Sequence, residues 1–239
     1  MSPSTTWRGF ARPAGPVAES RATRSVLFDL DGTFADTLPD LSHALEQALR
    51  EQQLAPPEPA LLRPLVSRGA RAMAEKACDG ILTGPALEAL LARFLALYGA
   101  ELCRRTRLFD GMQAVLDGLA RRAVPWGIVT NKLSRYSEPL MRALDPEGRA
   151  ACIVSGDSTA NAKPHPQPLL HACRLIGCAP GECVYVGDAE KDVIAARRAG
   201  MPSLVACYGY IAPGEDPGAW GADALIDDPG GLLAWLDAR

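Results

Sequence analysis

No stretch of this chain approaches the ~20 consecutive apolar residues that a membrane-spanning helix needs, so no membrane partner is expected. An excess of basic residues is lacking too: 25 Lys and Arg stand against 28 Asp and Glu, for a net charge of -3. Wholesale nucleic-acid binding needs a basic face and is not expected, although this balance still allows a local basic pocket for a small anion. Cys-x-x-Cys pairs are absent, and the seven cysteines are an odd number. Both facts suit a reducing compartment. Around His171, Cys173, Cys178 and Cys183 the spacing matches no common zinc pattern. Cys173 and Cys183 read instead as small apolar fillers, on a helix and on a buried strand. Residues 1–23 lack the apolar stretch of a signal peptide. Rich in Pro, Ser, Ala and Arg, with Glu19 their only acid, they are expected to form a flexible tail. The expected location is the cytoplasm.

What the chain does have begins at Ser25. Val26-Leu27-Phe28 reads as a buried strand, and it stops on Asp29, with Asp31 two residues later and Gly32 after it. Residues two apart in extended backbone point the same way, so the two carboxylates leave the strand end together. A cation or a shared proton must offset their repulsion.

The 239 residues, 48% hydrophobic and 22% charged, suit a soluble globular chain with one large domain or a core with an inserted lobe. Thr37 and Asp40 predict a helix start, followed by an apolar stripe of Leu38, Leu41, Leu45 and Leu49. Further helical patterns run from Leu61 to Val66, Gly69 to Cys78 and Pro85 to Tyr98, and no strand-like run falls between about residues 38 and 107. From Phe109 onward, strands near 125–130, 151–154, 183–187, 203–207 and 224–226 alternate with helices. Alternation of that kind predicts an α/β fold, a Rossmann-like parallel sheet, with an all-helical insertion. The expected division is a catalytic core over 24–37 and 108–239, and a helical cap over 38–107. Ligands of such sheets bind beyond the carboxyl ends of the strands, where the winding reverses.

Two further strand ends, and one segment just before a helix, carry polar residues. Thr130-Asn131-Lys132 offers a hydroxyl, an amide and backbone N–H groups at a helix start, which suits a phosphate or sulfate. Lys163, before Pro164 and Pro166, delivers an ammonium from a restrained backbone. Asp188 ends another strand, and Asp192 lies one helical turn beyond it. With Asp29 and Asp31 this makes four carboxylates at two strand ends. A hard divalent ion, Mg2+ rather than zinc, would relieve their repulsion.

The series Asp-x-Asp-Gly-Thr, Thr-Asn, Lys-Pro and Gly-Asp-x-x-x-Asp, in this order on a parallel sheet, resembles the four motifs of the haloacid dehalogenase superfamily. Within it, the runs from Asp29 to Leu41, Val129 to Lys132, Lys163 to Leu169 and Tyr208 to Ile211 are similar to the phosphoglycolate phosphatase group. Together with Ser67-Arg68-Gly69-Ala70-Arg71 and Trp220-Gly221-Ala222-Asp223, they also resemble N-acetylmuramic acid 6-phosphate phosphatases.

The resemblance implies a Mg2+-dependent phosphomonoesterase that acts on a small phosphate ester, foremost 2-phosphoglycolate, as a monomer or homodimer. Asp29 would be the nucleophile and Asp31 the general acid and base. Mg2+ would sit between Asp29, Asp188 and the backbone carbonyl of Asp31. Thr130, Asn131 and Lys163 would bind the phosphoryl group, and Asp192 would orient Lys163 or a metal-bound water. Arg68 falls where such caps present a specificity loop, and its planar fork suits a carboxylate; Arg71 is the weaker candidate. Hydrolytic dehalogenases of the superfamily lack the second acid, so Asp31 favours phosphate ester chemistry. A phosphomutase on the same scaffold and a non-catalytic phosphate-binding regulator are the rival readings.

Overall fold

The computed structural model describes residues 7–9 and 23–239. In chain order the first elements are β1 (Trp7–Gly9), β2 (Ser25–Phe28) and β3 (Ala35–Asp36). The helices α1 (Leu38–Glu51), α2 (Pro59–Leu62), α3 (Ala70–Cys78) and α4 (Gly84–Ala100) follow, with a 3-10 turn over Arg63–Arg68. Next come β4 (Arg107–Leu108), α5 (Met112–Arg121), β5 (Trp126–Val129), α6 (Ser134–Leu144), β6 (Cys152–Val154) and α7 (Gln167–Ile176). The chain ends through β7 (Cys183–Gly187), α8 (Glu190–Ala199), β8 (Ser203–Ala206), β9 (Ala224–Ile226) and α9 (Gly231–Asp237).

The main sheet has the order β1-β9-β8-β7-β2-β5-β6, parallel throughout except for β1. This is the expected α/β architecture. Its central strands are almost wholly apolar because helices cover both faces: every residue of β2, β5, β7 and β8 is buried. Beneath the strand ends, Phe28, Phe34 and Trp126 pack ring against ring, 5.2 to 6.4 Å apart. β2 lies between β7 and β5, so the winding reverses at its carboxyl end. The tail expected over 1–23 requires a correction at one point. Trp7–Gly9 pairs antiparallel with β9 and covers the backbone groups that this edge would otherwise leave open. The rest of that segment, 1–6 and 10–22, lies outside the described residues.

Between Leu38 and Ala100 the chain is helical and has its own apolar cluster, in which Leu45, Leu49, Leu62, Met73 and Phe94 are buried. Fully burying a side chain of this kind contributes about 1.5–3 kcal/mol. Tyr136 and Tyr210, from the sheet's side, complete the same cluster. The chain leaves and re-enters through a two-stranded ribbon, with Ala35 opposite Leu108 and Asp36 opposite Arg107. Beside it, the buried Asp40 carboxylate accepts from the backbone N–H groups of Arg105 and Thr106 and from the Thr106 hydroxyl, at 2.7 to 3.0 Å. No helix among the described residues is long and apolar enough to cross a membrane.

Candidate active site

The sheet brings Asp29, Thr130 and Asp188 to the carboxyl ends of the three adjacent strands β2, β5 and β7. Lys163 arrives from the loop after β6 and is buried among them. Its ammonium lies 2.9 Å from Asp29 Oδ1 and 2.8 Å from Asp192 Oδ1. It also donates to the Val129 carbonyl at 3.0 Å and to the Tyr185 hydroxyl at 2.6 Å. Burial opposes a charge on Lys163, but Asp192 and Asp29 together outweigh it and hold the ammonium above its ordinary range. Asp29 is pushed up by burial, against the pull of Lys163. Asp192 uses its other oxygen to accept from the Ala189 N–H at the start of α8, at 3.1 Å.

Among the described residues, Asp188 has no cation in contact with it. Its Oδ2 accepts from the Tyr210 N–H at 2.8 Å and from the Ser67 hydroxyl at 3.2 Å, whereas Oδ1 is buried without a partner. Burial, then the charges of Asp29 and Asp192, push its carboxyl up to about 7. Carboxylate oxygens of Asp29, Asp188 and Asp192 all lie within 4.8 Å of one another. Hard oxygen donors and an orphaned buried oxygen are what a small divalent cation requires, so the residues present fit one. Gly32 is part of the same construction. A Cβ there would come 2.2 Å from Asp188 Oδ2, and its φ of +83° suits glycine.

The raised Asp188 carboxyl has a measurable consequence. The folded state keeps a proton that the unfolded chain releases from about pH 3.8 upward. Stability of the chelator-treated protein should therefore fall as pH rises from near 4 to near 7, then level off. Urea midpoints between pH 4.5 and 8 test this, and a midpoint that rises over that range contradicts it.

Asp31 sits beside these residues rather than among them. Its Oδ1 accepts from the Thr37 hydroxyl at 2.6 Å and from the Lys132 ammonium at 2.9 Å. Thr37 does stand at the N-terminus of α1, but its hydroxyl does not cap the helix. It is spent on Asp31 instead. Asn131 also departs from expectation. Its amide donates to the Lys163 carbonyl at 2.9 Å and accepts from the Lys163 N–H at 3.0 Å. The side chain therefore holds Lys163 in place and keeps one N–H free toward the cavity it lines.

Asp29 and Asp31 open into a cavity of about 340 Å³. Its polar wall includes Thr130, Lys132, Arg68 and Lys191; Leu41, Val66, Met73 and Tyr136 form an apolar wall. Arg68 is largely exposed, with its guanidinium 3.9 Å from Glu215. Arg71 pairs with Glu88 at 2.8 Å and does not line the cavity. Lys132 and Lys191 were not singled out by sequence reasoning. Lys132 is nearly buried, lies 4.7 Å from the centre of the Tyr98 ring, and is held above the ordinary lysine range by Asp31 and Tyr98 despite its burial. Lys191 donates to the Ser67 carbonyl and so ties the cavity's two sides together. The available signal for both was a lysine inside a motif at a strand end.

Comparison with known proteins agrees with this geometry. The family model "Haloacid dehalogenase-like hydrolase" matches residues 26–206. A phosphoglycolate phosphatase of Xanthomonas campestris pv. campestris is 44% identical over 209 residues, 87% of this chain and 94% of that one. An N-acetylmuramic acid 6-phosphate phosphatase of Pseudomonas putida is 37% identical over 215 residues, 90% of this chain and 96% of that one. The crystal structure of a predicted phosphoglycolate phosphatase from Haemophilus somnus 129PT superposes with a TM-score of 0.80 at 27% identity, covering 89% of this chain and 97% of that one. With the motif residues gathered at one sheet edge and relatives matched over nearly their whole length, this chain belongs to the haloacid dehalogenase-like hydrolases and is a phosphatase of that family.

Proposed function

We propose that the protein hydrolyses small phosphate monoesters that also carry a carboxylate, foremost 2-phosphoglycolate, by way of a phosphorylated Asp29. The observation that carries this reading is that Asp29, backed by the buried Lys163 and Asp192, and a second acid, Asp31, line one cavity. An oxygen of Asp29 attacks phosphorus, and the bond to the leaving alkoxide breaks as Asp31 gives that alkoxide a proton. Asp31 then takes a proton from the water that cleaves the aspartyl-phosphate, which releases inorganic phosphate and restores both acids. Thr37 and Lys132 occupy Oδ1 of Asp31, so Oδ2 is the oxygen that carries the proton.

The Thr130 hydroxyl, backbone N–H groups after β5 and Lys163 would bind the non-reacting phosphoryl oxygens, where charge stabilisation has its largest effect, Lys163 giving up one of its present contacts to do so. Asn131 and Asp192 act by fixing Lys163. Asp29, Asp188 and the backbone carbonyl of Asp31 would hold Mg2+. When bound, that ion offsets the charge of the nucleophile and phosphate. Release of phosphate from p-nitrophenyl phosphate should require Mg2+; no metal-dependent release would put the regulator reading ahead, and transfer of phosphate to a sugar product would favour the mutase.

Arg68, at the cavity wall, is the group proposed to read the substrate's carboxylate. Arg68→Ala should raise KM for 2-phosphoglycolate about tenfold, the worth of one charge-assisted hydrogen bond. It should leave p-nitrophenyl phosphate unaffected, and an equal loss on both substrates would remove this role. N-acetylmuramic acid 6-phosphate is the second reading, favoured by the cavity itself. About 340 Å³ with an apolar wall exceeds what a two-carbon acid fills. A side-by-side comparison of kcat/KM for the two esters decides between them.

A further inference from the structure

At the opposite end of the sheet, three sulfurs converge. Cys173 lies in the last turn of α7, Cys178 follows the helix, and Cys183 opens β7. At Gly177, with φ of +79°, the chain reverses; the N–H groups of Gly177 and Cys178 both return to the Cys173 carbonyl, at 2.9 and 3.1 Å. That reversal brings Cys178 Sγ to 2.8 Å from Cys183 Sγ, and Cys173 Sγ lies 3.6 Å from Cys183 Sγ. The three sulfurs all fall within 4.8 Å of one another. Ser25, next to Cys183 in the parallel register, places its buried hydroxyl 2.8 Å from Cys183 Sγ and 3.2 Å from Cys178 Sγ. Cys173 and Cys183 are buried, and Cys178 is partly exposed.

We propose that Cys173, Cys178 and Cys183 form a thiolate site for a soft d10 cation of the Zn2+ or Cu+ class. The donor set is sulfur alone, and thiolates select such ions over the hard Mg2+ expected at the acids. Three sulfurs at ~2.3 Å from one ion stand ~4 Å apart; Cys173 and Cys183 are near that spacing, and Cys178 would swing about 1 Å away from Cys183 to reach it. Three S–H bonds give their protons to solvent, three sulfur–metal bonds form, and no electron changes hands. Ser25 donates to sulfur and stabilises the negative charge. Each thiol must give up a proton to bind, so binding weakens as pH falls. The exposed edge of Cys178 is the way in, and a bound ion would join α7, its loop and β7 at one point.

The test uses full-length, reduced protein saturated with Mg2+ and titrated with Cd2+ alone. The expected result is one equivalent bound, with thiolate-to-metal charge-transfer absorption, up to three protons released and a raised Tm. Cys178→Ser, at a partly exposed position, should weaken binding by at least about 10-fold; Cys103→Ser should not, and phosphatase activity should be unchanged in both. The proposal is overturned if the absorption never appears or persists undiminished in Cys178→Ser. A Cys178–Cys183 disulfide in protein purified under reductant overturns it as well.

Discussion

Asp29→Asn should leave turnover below ~1% of the wild-type rate, because a neutral amide cannot attack phosphorus or hold a phosphoryl group as an anhydride. The change in stability should run the other way. Burial already pushes the Asp29 carboxyl up, and the charges of Asp192 and Asp188 crowd the same space. Removing one of those charges relieves the metal-free cluster, at the cost of one partner for Lys163. Asp192 remains 2.8 Å from that ammonium, so it is not left bare. An inactive variant whose chelator-treated form melts no lower than the wild type is the expected outcome. Activity above ~1% would point away from a covalent route, while collapse of the fold would mean that Asp29 is needed for structure as well.

Lys163→Met should be the most damaging single change to stability. Among the described residues, Lys163 is the one cation in contact with both Asp29 and Asp192, and it also holds the Tyr185 hydroxyl and the Val129 carbonyl. Removing one partner from a buried charge array costs about 3–5 kcal/mol, since the remaining charges cannot recover water. Urea unfolding at pH 7.5 should register that loss. Lowering the pH should narrow the gap, because protonation removes the stranded charge. Adding Asp192→Asn to the variant should recover part of it, a coupling that two unrelated defects would not give. A loss below ~1 kcal/mol would mean that water reaches the site and that the array is not dry.

Much of this was legible from residue order, because strand ends converge wherever a parallel sheet forms. Asp29, Thr130 and Asp188 follow apolar runs that can only be strands, and adjacent parallel strands place their ends side by side. Asp192 was readable from helical spacing and meets Lys163 as that spacing allows. Asn131 was misread in part, because an amide beside a phosphate site has two uses. Only the position of the Lys163 peptide shows that it takes the second. Lys132 was passed over because what makes it special, the Tyr98 ring, is 34 positions away on α4. The ribbon of Ala35–Asp36 and Arg107–Leu108 is too short to leave a periodic signal. The sulfur cluster depends on a chain reversal at Gly177, which spacing alone does not reveal.

That ribbon has a bearing on how such enzymes change what they act on. Departure and return occur side by side at Asp36 and Arg107, so the whole helical excursion is attached like a handle, with both ends on one plate. Exchanging it for another of different length would leave every strand of the sheet in register. The acids and lysine below would keep their places while the roof above them took a new shape.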